Sequence, residues 1–264
     1  MGKFLNVTVC ELPDDPEKFQ NIWDGLAGHV KQNKSEIVLL PEMPFSPWFA
    51  LRDDFTTEQW ERAVVDHDSW LDYAADLFPA AIVGSRPVDR NSMRLNEGFI
   101  LDEEQGYQPI HHKSFLPNEN GFWEASWYDR GDGNFRPVQI GEASAGFQIC
   151  TELWSMDTAR KLGESGVHLI VNPRATEAAT NDKWLTGGRT ASLVSGAYCL
   201  SSNRSGSPGD DVHFGGMGWI TGPDGEVLAT TSANQPFASI IIDLETAETA
   251  KTTYPRYAIN HPRF

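Results

Sequence analysis

Cysteine is scarce in this chain. The 264 residues include three cysteines, Cys10, Cys150 and Cys199, which are too few and too scattered for a framework of disulfide bonds. No Cys-x-x-Cys pair occurs, which argues against a cysteine-rich zinc site. Isolated thiols are typical of a reducing compartment, so we expect a cytoplasmic protein.

Long apolar runs and basic residues are also in short supply. No stretch reaches the ~18 apolar residues of a membrane-spanning helix, and the first fifteen or so residues lack a signal-peptide pattern, so we expect a soluble protein. The chain has 21 Lys and Arg against 37 Asp and Glu, a net charge of −16. Because such a surface repels phosphate backbones and anionic lipids, we expect neither a nucleic-acid partner nor a membrane partner.

The common cofactor and metal motifs are missing as well. The sequence contains no GxGxxG, no GxxxxGK[ST], no GxSxG and no HExxH, which leaves dinucleotide, P-loop, serine-hydrolase and zinc-protease chemistry without motif support. His111 and His112 are adjacent on a predicted strand, where their side chains point to opposite faces and cannot bind one ion together. We predict no cofactor and no metal site.

What the sequence does contain is a regular alternation of helical and strand patterns. No linker or low-complexity tract divides it, so we predict one domain, residues 1–264. Apolar residues at helical spacing predict helices at 17–33, 57–76, 155–164 and 182–197. Short apolar or alternating runs predict strands within 36–42, 80–88, 95–102, 107–113, 146–150, 167–173, 198–203, 218–231 and 237–244. The order "helix, apolar strand, Pro" occurs at 17–41 and again at 155–173, which indicates two related α/β halves with two sheets face to face and helices outside.

Three reactive side chains stand at the ends of predicted buried strands. Glu42 follows Ile-Val-Leu-Leu-Pro, Lys113 follows Pro-Ile-His-His, and Cys150 closes Gly-Phe-Gln-Ile. A carboxylate can take a thiol proton, the thiolate can attack a carbonyl, and a cation can stabilise the oxyanion, so the set suits acyl transfer. Taken singly, the cysteine is more typical of a core and the two charges of solvated loops.

The surrounding segments favour the functional interpretation. LLPEMPFS, HHKSFLPNENGFWEASWYDRGD, GFQICTELW and GVHLIVNPRAT, in this order, resemble the nitrilase superfamily of carbon–nitrogen hydrolases, and the likeness continues through GWITGPDGEVLA. The resemblance implies an α/β fold, a four-layer α-β-β-α sandwich of the nitrilase/amidase type. It also implies that Glu42 is the general base, Lys113 the oxyanion-stabilising cation and Cys150 the nucleophile.

The resemblance implies a second glutamate near these three. Glu124 and Glu119 are the candidates, and Glu124 is preferred because FWEASWY resembles the ureidopropionase-like branch, whereas Glu119 is interpreted as a loop charge. We expect the Thr151 backbone N–H to help hold the oxyanion. Four tryptophans flank the motifs and are typical either of a core or of an aromatic substrate pocket: Trp48, Trp123, Trp127 and Trp154. Arg174 is expected either to bind a substrate carboxylate or to form a surface salt bridge.

Several functions remain open at this stage. We predict hydrolysis of a small linear amide or N-carbamoyl compound, with release of ammonia through a cysteine thioester. The residues Cys-Thr-Glu at 150–152 match neither the Cys-Trp-Glu typical of true nitrilases nor the aromatic residue and Asp that follow the cysteine in several amidase branches. A nitrilase that hydrolyses a nitrile to an acid and ammonia is therefore the alternative. Acyl transfer to an amine and a non-catalytic scaffold are the remaining possibilities. The resemblance also implies a homodimer or larger homo-oligomer that takes a small-molecule amide-type substrate.

Overall fold

The computed structural model describes residues 3–209 and 212–259. The helices are α1 (Pro16–Asn33), α2 (Thr57–Ala74), α3 (Glu124–Trp127), α4 (Met156–Glu164), α5 (Asn181–Ser195), α6 (Leu244–Ala250) and α7 (Arg256–Ile259). The strands of the first half are β1 (Phe4–Pro13), β2 (Ile37–Leu39), β3 (Ala81–Arg90), β4 (Met93–Asp102) and β5 (Gly106–His112). Those of the second half are β6 (Val138–Ile140), β7 (Ala143–Phe147), β8 (Leu169–Arg174), β9 (Tyr198–Gly206), β10 (Phe214–Gly215), β11 (Trp219–Thr221), β12 (Val227–Thr230) and β13 (Phe237–Asp243). Across the described residues, no helix combines the length and apolarity needed to cross a membrane.

The strands form two sheets that share β1. In the first sheet the order is β5-β4-β3-β2-β1, with β13 antiparallel to β1. In the second sheet the order is β9-β8-β7-β6, and β10 and β11 pair with β9. The end of β1, Glu11–Pro13, runs parallel to residues 203–205 of β9. One strand therefore joins the two halves of the chain.

The largest apolar cluster lies between the two sheets. It contains residues of the first sheet, such as Val7 and Val83, together with residues of the second, such as Phe147 and Val171. The sheets approach closely at Gly98, where a Cβ atom would lie 2.8 Å from a ring carbon of Phe147. Each fully buried Val or Leu side chain contributes on the order of 1.5–3 kcal/mol. This shared core keeps the two sheets face to face.

Helices cover the outer face of each sheet. The buried side of α1 (Phe19, Trp23, Leu26 and Val30) packs with α2 on the first sheet, and α4 and α5 pack on the second. The spacing of these four residues is the helical repeat that predicts this helix from the sequence. The predicted four-layer α-β-β-α architecture is confirmed.

Local sequence signals explain where the long helices begin. Asp15 precedes α1 and its side chain accepts a hydrogen bond from the Glu17 backbone N–H at 3.0 Å, with Pro16 at the first helical position. Thr56 has the same capping role for α2. The predicted starts of both helices, at 17 and 57, agree with the structure to within one residue.

Two predicted strand ends differ from the structure. The run 146–150 is not a strand throughout, because β7 ends at Phe147 and Cys150 begins a short 3-10 helix, Cys150–Trp154. Pro173 was expected to stop its strand, yet β8 continues through Pro173 to Arg174. On one side β8 pairs with β7 only as far as Val171, so the missing N–H of Pro173 leaves no strand partner unpaired.

Candidate active site

Cys150 stands on a tight turn between β7 and the 3-10 helix that follows. Its φ is +47°, a left-handed conformation that costs a non-glycine residue on the order of 1–3 kcal/mol. The side-chain amide of Asn172, on β8, holds this backbone by donating to the carbonyls of Gln148 at 2.5 Å and Cys150 at 3.2 Å. Residues 148–152 thus form a nucleophile turn.

A buried carboxylate fixes the nucleophile turn to the end of β5. Glu152 accepts hydrogen bonds from the Ile149 backbone N–H at 2.8 Å and from the Ser114 backbone N–H at 2.7 Å. Its other neighbour is His111, whose Nε2 lies 2.9 Å from Oε2. Because a carboxylate only accepts hydrogen bonds, Nε2 carries the proton in this contact. Glu152 therefore sets the position of Cys150 relative to the segment that carries Lys113.

Lys113 lies between two glutamates. Its Nζ is 2.7 Å from Glu42 Oε1 and 2.5 Å from Glu124 Oε2. All three side chains are completely buried. The structure thus brings Glu124, and not Glu119, into contact with the predicted lysine.

Each glutamate has one further polar partner. The Asn96 amide donates to Glu42 Oε1 at 2.7 Å, and the Tyr128 hydroxyl donates to Glu124 Oε2. The remaining oxygens, Glu42 Oε2 and Glu124 Oε1, are buried and have no hydrogen-bond partner among the described residues. These two oxygens are available to a thiol proton, a water molecule or a substrate.

The thiol and both carboxylates are within reach of one another. One ligand atom each from Glu42, Glu124 and Cys150 lies within 4.8 Å of the other two. A carboxylate and thiol set of this size could hold a metal ion, but the Lys113 ammonium already pairs with both carboxylates. The arrangement matches a Glu-Lys-Cys triad with a second glutamate.

The electrostatics of this cluster favour a protonated thiol and a charged lysine at rest. Burial, the Glu42 charge and the Glu124 charge raise the pKa of Cys150 well above its usual value, with Lys113 opposing them. Burial alone would lower the pKa of Lys113, but the attraction of Glu124 and Glu42 outweighs it and raises that pKa. Burial raises the pKa of Glu124 to about 7 despite its ion pair with Lys113. A base is therefore needed to make the thiolate.

A cavity of about 110 Å³ opens beside Cys150. Its lining includes Glu124, Cys150 and Thr151 of the predicted site, together with Pro117, Glu119, Phe122, Ala175, Thr176, Glu177, Thr180 and Trp184. Glu119, interpreted from sequence as a loop charge, is exposed and yet lines this cavity. The aromatic walls are Phe122 and Trp184, which sequence reasoning did not single out.

The four predicted tryptophans are placed elsewhere. Trp48 and Trp127 are buried, and their indole N–H groups donate to the carbonyls of Gly121 at 3.0 Å and Arg52 at 2.6 Å. Trp123 is half-buried against the same apolar cluster. Trp154 is 46% exposed and lines an adjoining groove that shares Pro117 and Thr151 with the cavity. These tryptophans therefore do not form the expected aromatic substrate pocket. Trp48, Trp123 and Trp127 pack in the core, and Trp154 lines the adjoining groove.

Arg174 has a structural position and not a place on the cavity wall. The side chain is completely buried. Its Nε donates to Ser201 at 3.0 Å, its other nitrogens bond Thr176 and the carbonyls of Gly216 and Met217, and its guanidinium lies over Trp219. Arg174 therefore makes neither the expected contact with a substrate carboxylate nor the alternative surface salt bridge. Both expectations were wrong, because all three guanidinium nitrogens already have partners inside the protein.

Sequence reasoning missed the residues that hold the reactive groups. They are Asn96, Tyr128, Glu152 and Asn172, joined by Glu177 on the cavity wall. Glu152 had a signal, because it belongs to the Cys-Thr-Glu motif. Tyr128 had a local signal too, because it stands four residues after Glu124 in FWEASWY. Asn96 had none, since its contact with Glu42 joins segments that are distant in sequence.

Comparison with known proteins agrees with this geometry. A family model described as carbon–nitrogen hydrolase matches residues 7–252. The chain belongs to the carbon–nitrogen hydrolase family. The resemblance inferred from its motifs is thereby confirmed.

Relatives of this carbon–nitrogen hydrolase act on amide-type compounds by name. The chain is 25% identical over 158 residues to an N-carbamoylputrescine amidase of Solanum tuberosum, a match that covers 53% of this chain and 52% of the relative. It is 25% identical over 242 residues to the omega-amidase YafV of Escherichia coli K12, covering 88% and 86%. The chain thus spans about half the length of the plant relative that it matches.

Solved structures share the fold. A carbon–nitrogen hydrolase from Helicobacter pylori G27 superimposes with a TM-score of 0.84 at 18% identity, covering 98% of this chain and 96% of the other. At that identity the likeness shows the fold.

Proposed function

We propose that this carbon–nitrogen hydrolase cleaves a small linear amide or N-carbamoyl compound and releases ammonia through a thioester on Cys150. The observation that carries the proposal is the buried contact of Lys113 with both Glu42 and Glu124 beside a cavity-lining thiol. The names of the two relatives, one a carbamoyl amidase and the other an omega-amidase, support the same two substrate classes.

The first half-reaction forms the thioester. Glu42 takes the proton of the Cys150 thiol, and the thiolate attacks the carbonyl carbon of the substrate. The oxyanion of the tetrahedral intermediate is stabilised by the Lys113 ammonium and the Thr151 backbone N–H. Glu42 then gives its proton to the departing nitrogen, and the C–N bond breaks to release ammonia.

The second half-reaction restores the enzyme. Glu42 takes a proton from a water molecule, and the resulting hydroxide attacks the thioester carbon. The C–S bond breaks, the carboxylic or carbamic acid leaves, and Cys150 regains its proton. Glu124 takes no proton in either half-reaction and acts by holding Lys113 in place.

A panel of amides, N-carbamoyl amines, N-carbamoyl amino acids and nitriles tests this proposal, with ammonia release as the readout. The Cys150→Ala protein is the blank, and we expect Cys150→Ala and Lys113→Ala to lose hydrolysis almost completely. Hydrolysis of an amide at the wild-type rate by either variant would contradict the triad. Faster ammonia release from nitriles than from matched amides would replace the amidase by a nitrilase.

A further inference from the structure

The wall of the cavity is acidic. Glu119 and Glu177 line it together with Glu124, and none of its described lining residues is a lysine, arginine or histidine. Glu119 is exposed and Glu177 is partly exposed, so both lie where a bound molecule would extend towards solvent. A substrate bound in the cavity would therefore lie against a wall that contains these two carboxylates.

Backbone contacts hold both residues in place. Glu119 and Phe122 pair across a tight turn, with the Phe122 N–H donating to the Glu119 carbonyl at 2.8 Å. Glu177 pairs with Phe214, and the next N–H, that of Ala178, donates to the His213 carbonyl at 2.9 Å. The two carboxylates therefore belong to ordered segments on opposite sides of the nucleophile in the sequence.

Among the described residues, no neighbouring cation neutralises their charge. Within the part of the chain that the structure describes, neither Glu119 nor Glu177 takes part in a salt bridge. The Lys113 ammonium is shared by Glu42 and Glu124. Arg130 lines the adjoining groove and not this cavity. An incoming substrate consequently meets an excess of negative charge.

The other walls suit an alkyl chain that ends in a cation. Phe122 and Trp184 line the same cavity, and their rings can pack against methylene groups. Aromatic ring faces also attract ammonium and guanidinium groups. An anionic end group would face repulsion from both carboxylates and would gain nothing from the rings.

We propose that Glu119 and Glu177 select substrates that carry a cation, such as a primary ammonium group, at the far end of a short chain from the scissile bond. The inference rests on the proposed function and adds the charge of the substrate to it. The two glutamates are specificity-determining residues and take no part in bond breaking.

Three matched forms of one amide test the inference. They are the ω-ammonium, uncharged and ω-carboxylate forms of pentanamide, with the same three forms of butylurea. Because two partly exposed ion pairs contribute about 0.2–1 kcal/mol each, kcat/KM should be about twofold to thirtyfold higher for the ω-ammonium form than for the uncharged form at low salt. In the Glu119→Gln/Glu177→Gln protein, kcat/KM should be about the same for the ω-ammonium and uncharged forms.

The control removes the same amount of charge far from the cavity. Glu103 and Glu104 are exposed in the turn between β4 and β5, and Glu103→Gln/Glu104→Gln should keep the wild-type ratio. A wild-type ratio at or below one, or a ratio retained by Glu119→Gln/Glu177→Gln, overturns the inference.

A second measurement does not depend on turnover. Cys150 lines the cavity, whereas Cys10 and Cys199 are fully buried, so charged methanethiosulfonates should modify Cys150 first. The cationic reagent should react faster than the anionic one. This ratio of rates should fall several-fold in Glu119→Gln/Glu177→Gln and stay unchanged in Glu103→Gln/Glu104→Gln. If no compound of either panel is hydrolysed, the proposed function fails, and this ratio still decides the charge inference: an unchanged ratio refutes it.

Discussion

The hydrogen bond from Tyr128 to Glu124 can be removed with little change of shape. Tyr128 is buried, and its hydroxyl donates to the same Glu124 oxygen that pairs with Lys113. Burial raises the pKa of Glu124 to about 7, and this hydrogen bond opposes the increase because it stabilises the ionised form. Tyr128→Phe keeps the ring and deletes the hydroxyl.

A hydrogen bond to a charged group contributes about 1.5–3 kcal/mol, and 1.36 kcal/mol corresponds to one pKa unit. The Glu124 pKa should therefore increase by roughly one to two units in Tyr128→Phe. Ionised Glu124 is needed to hold Lys113, so wild-type activity should rise with pH through about 7, and the variant should rise at correspondingly higher pH.

The assay is the pH dependence of kcat/KM for the best amide of the panel, with thermal unfolding to show that the fold is intact. Tyr107→Phe is the matched control, since the Tyr107 hydroxyl donates to Glu97 at 2.7 Å and neither residue lines the cavity. The reasoning would be refuted if the rise of kcat/KM with pH occurred in Tyr128→Phe at the same pH as in the wild type, or at a lower pH.

Three further predictions concern stability. Glu152→Gln replaces one acceptor oxygen by an N–H₂ group that faces donors, which should cost about 1–3 kcal/mol, lower the Tm by several degrees and slow hydrolysis; an unchanged Tm would contradict this. Arg174→Leu should lower the Tm and affect neutral and acidic amides alike, whereas a KM increase confined to acidic amides would show that Arg174 contacts substrate. The native Glu124 pKa of about 7 lies above the ordinary 4.5, so the free energy of unfolding should fall by up to about 3 kcal/mol as pH rises through this interval; Glu124→Gln should lack this slope in urea titrations at several pH values.

The sequence predicted the four long helices and most of the strands because their signals are local, but it did not predict β1, which joins the two sheets. The repeat of Phe19, Trp23, Leu26 and Val30, with Asp15 as cap, specifies α1 without reference to the rest of the chain. The ends of the second-half strands were harder to predict. Where β7 stops depends on Glu152 and Asn172, which hold the nucleophile turn from outside the strand.

The site was predictable only for residues that belong to recognisable sequence motifs. Glu42, Lys113 and Cys150 belong to quoted segments, and the structure brings them together. The choice of Glu124 over Glu119 rested on resemblance to one branch. The tryptophans and Arg174 were harder, because residue type predicts burial but not which buried surface a ring or a guanidinium will face.

The protonated state of Cys150 has a consequence for the resistance of the protein to oxidation. Peroxide oxidises thiolates far faster than thiols, and the first product, a sulfenic acid, can be carried on to irreversible acids. A sulfur whose pKa lies well above its usual value is rarely a thiolate between catalytic cycles. The idle protein should therefore survive oxidative stress that inactivates cysteine enzymes with a permanently ionised nucleophile.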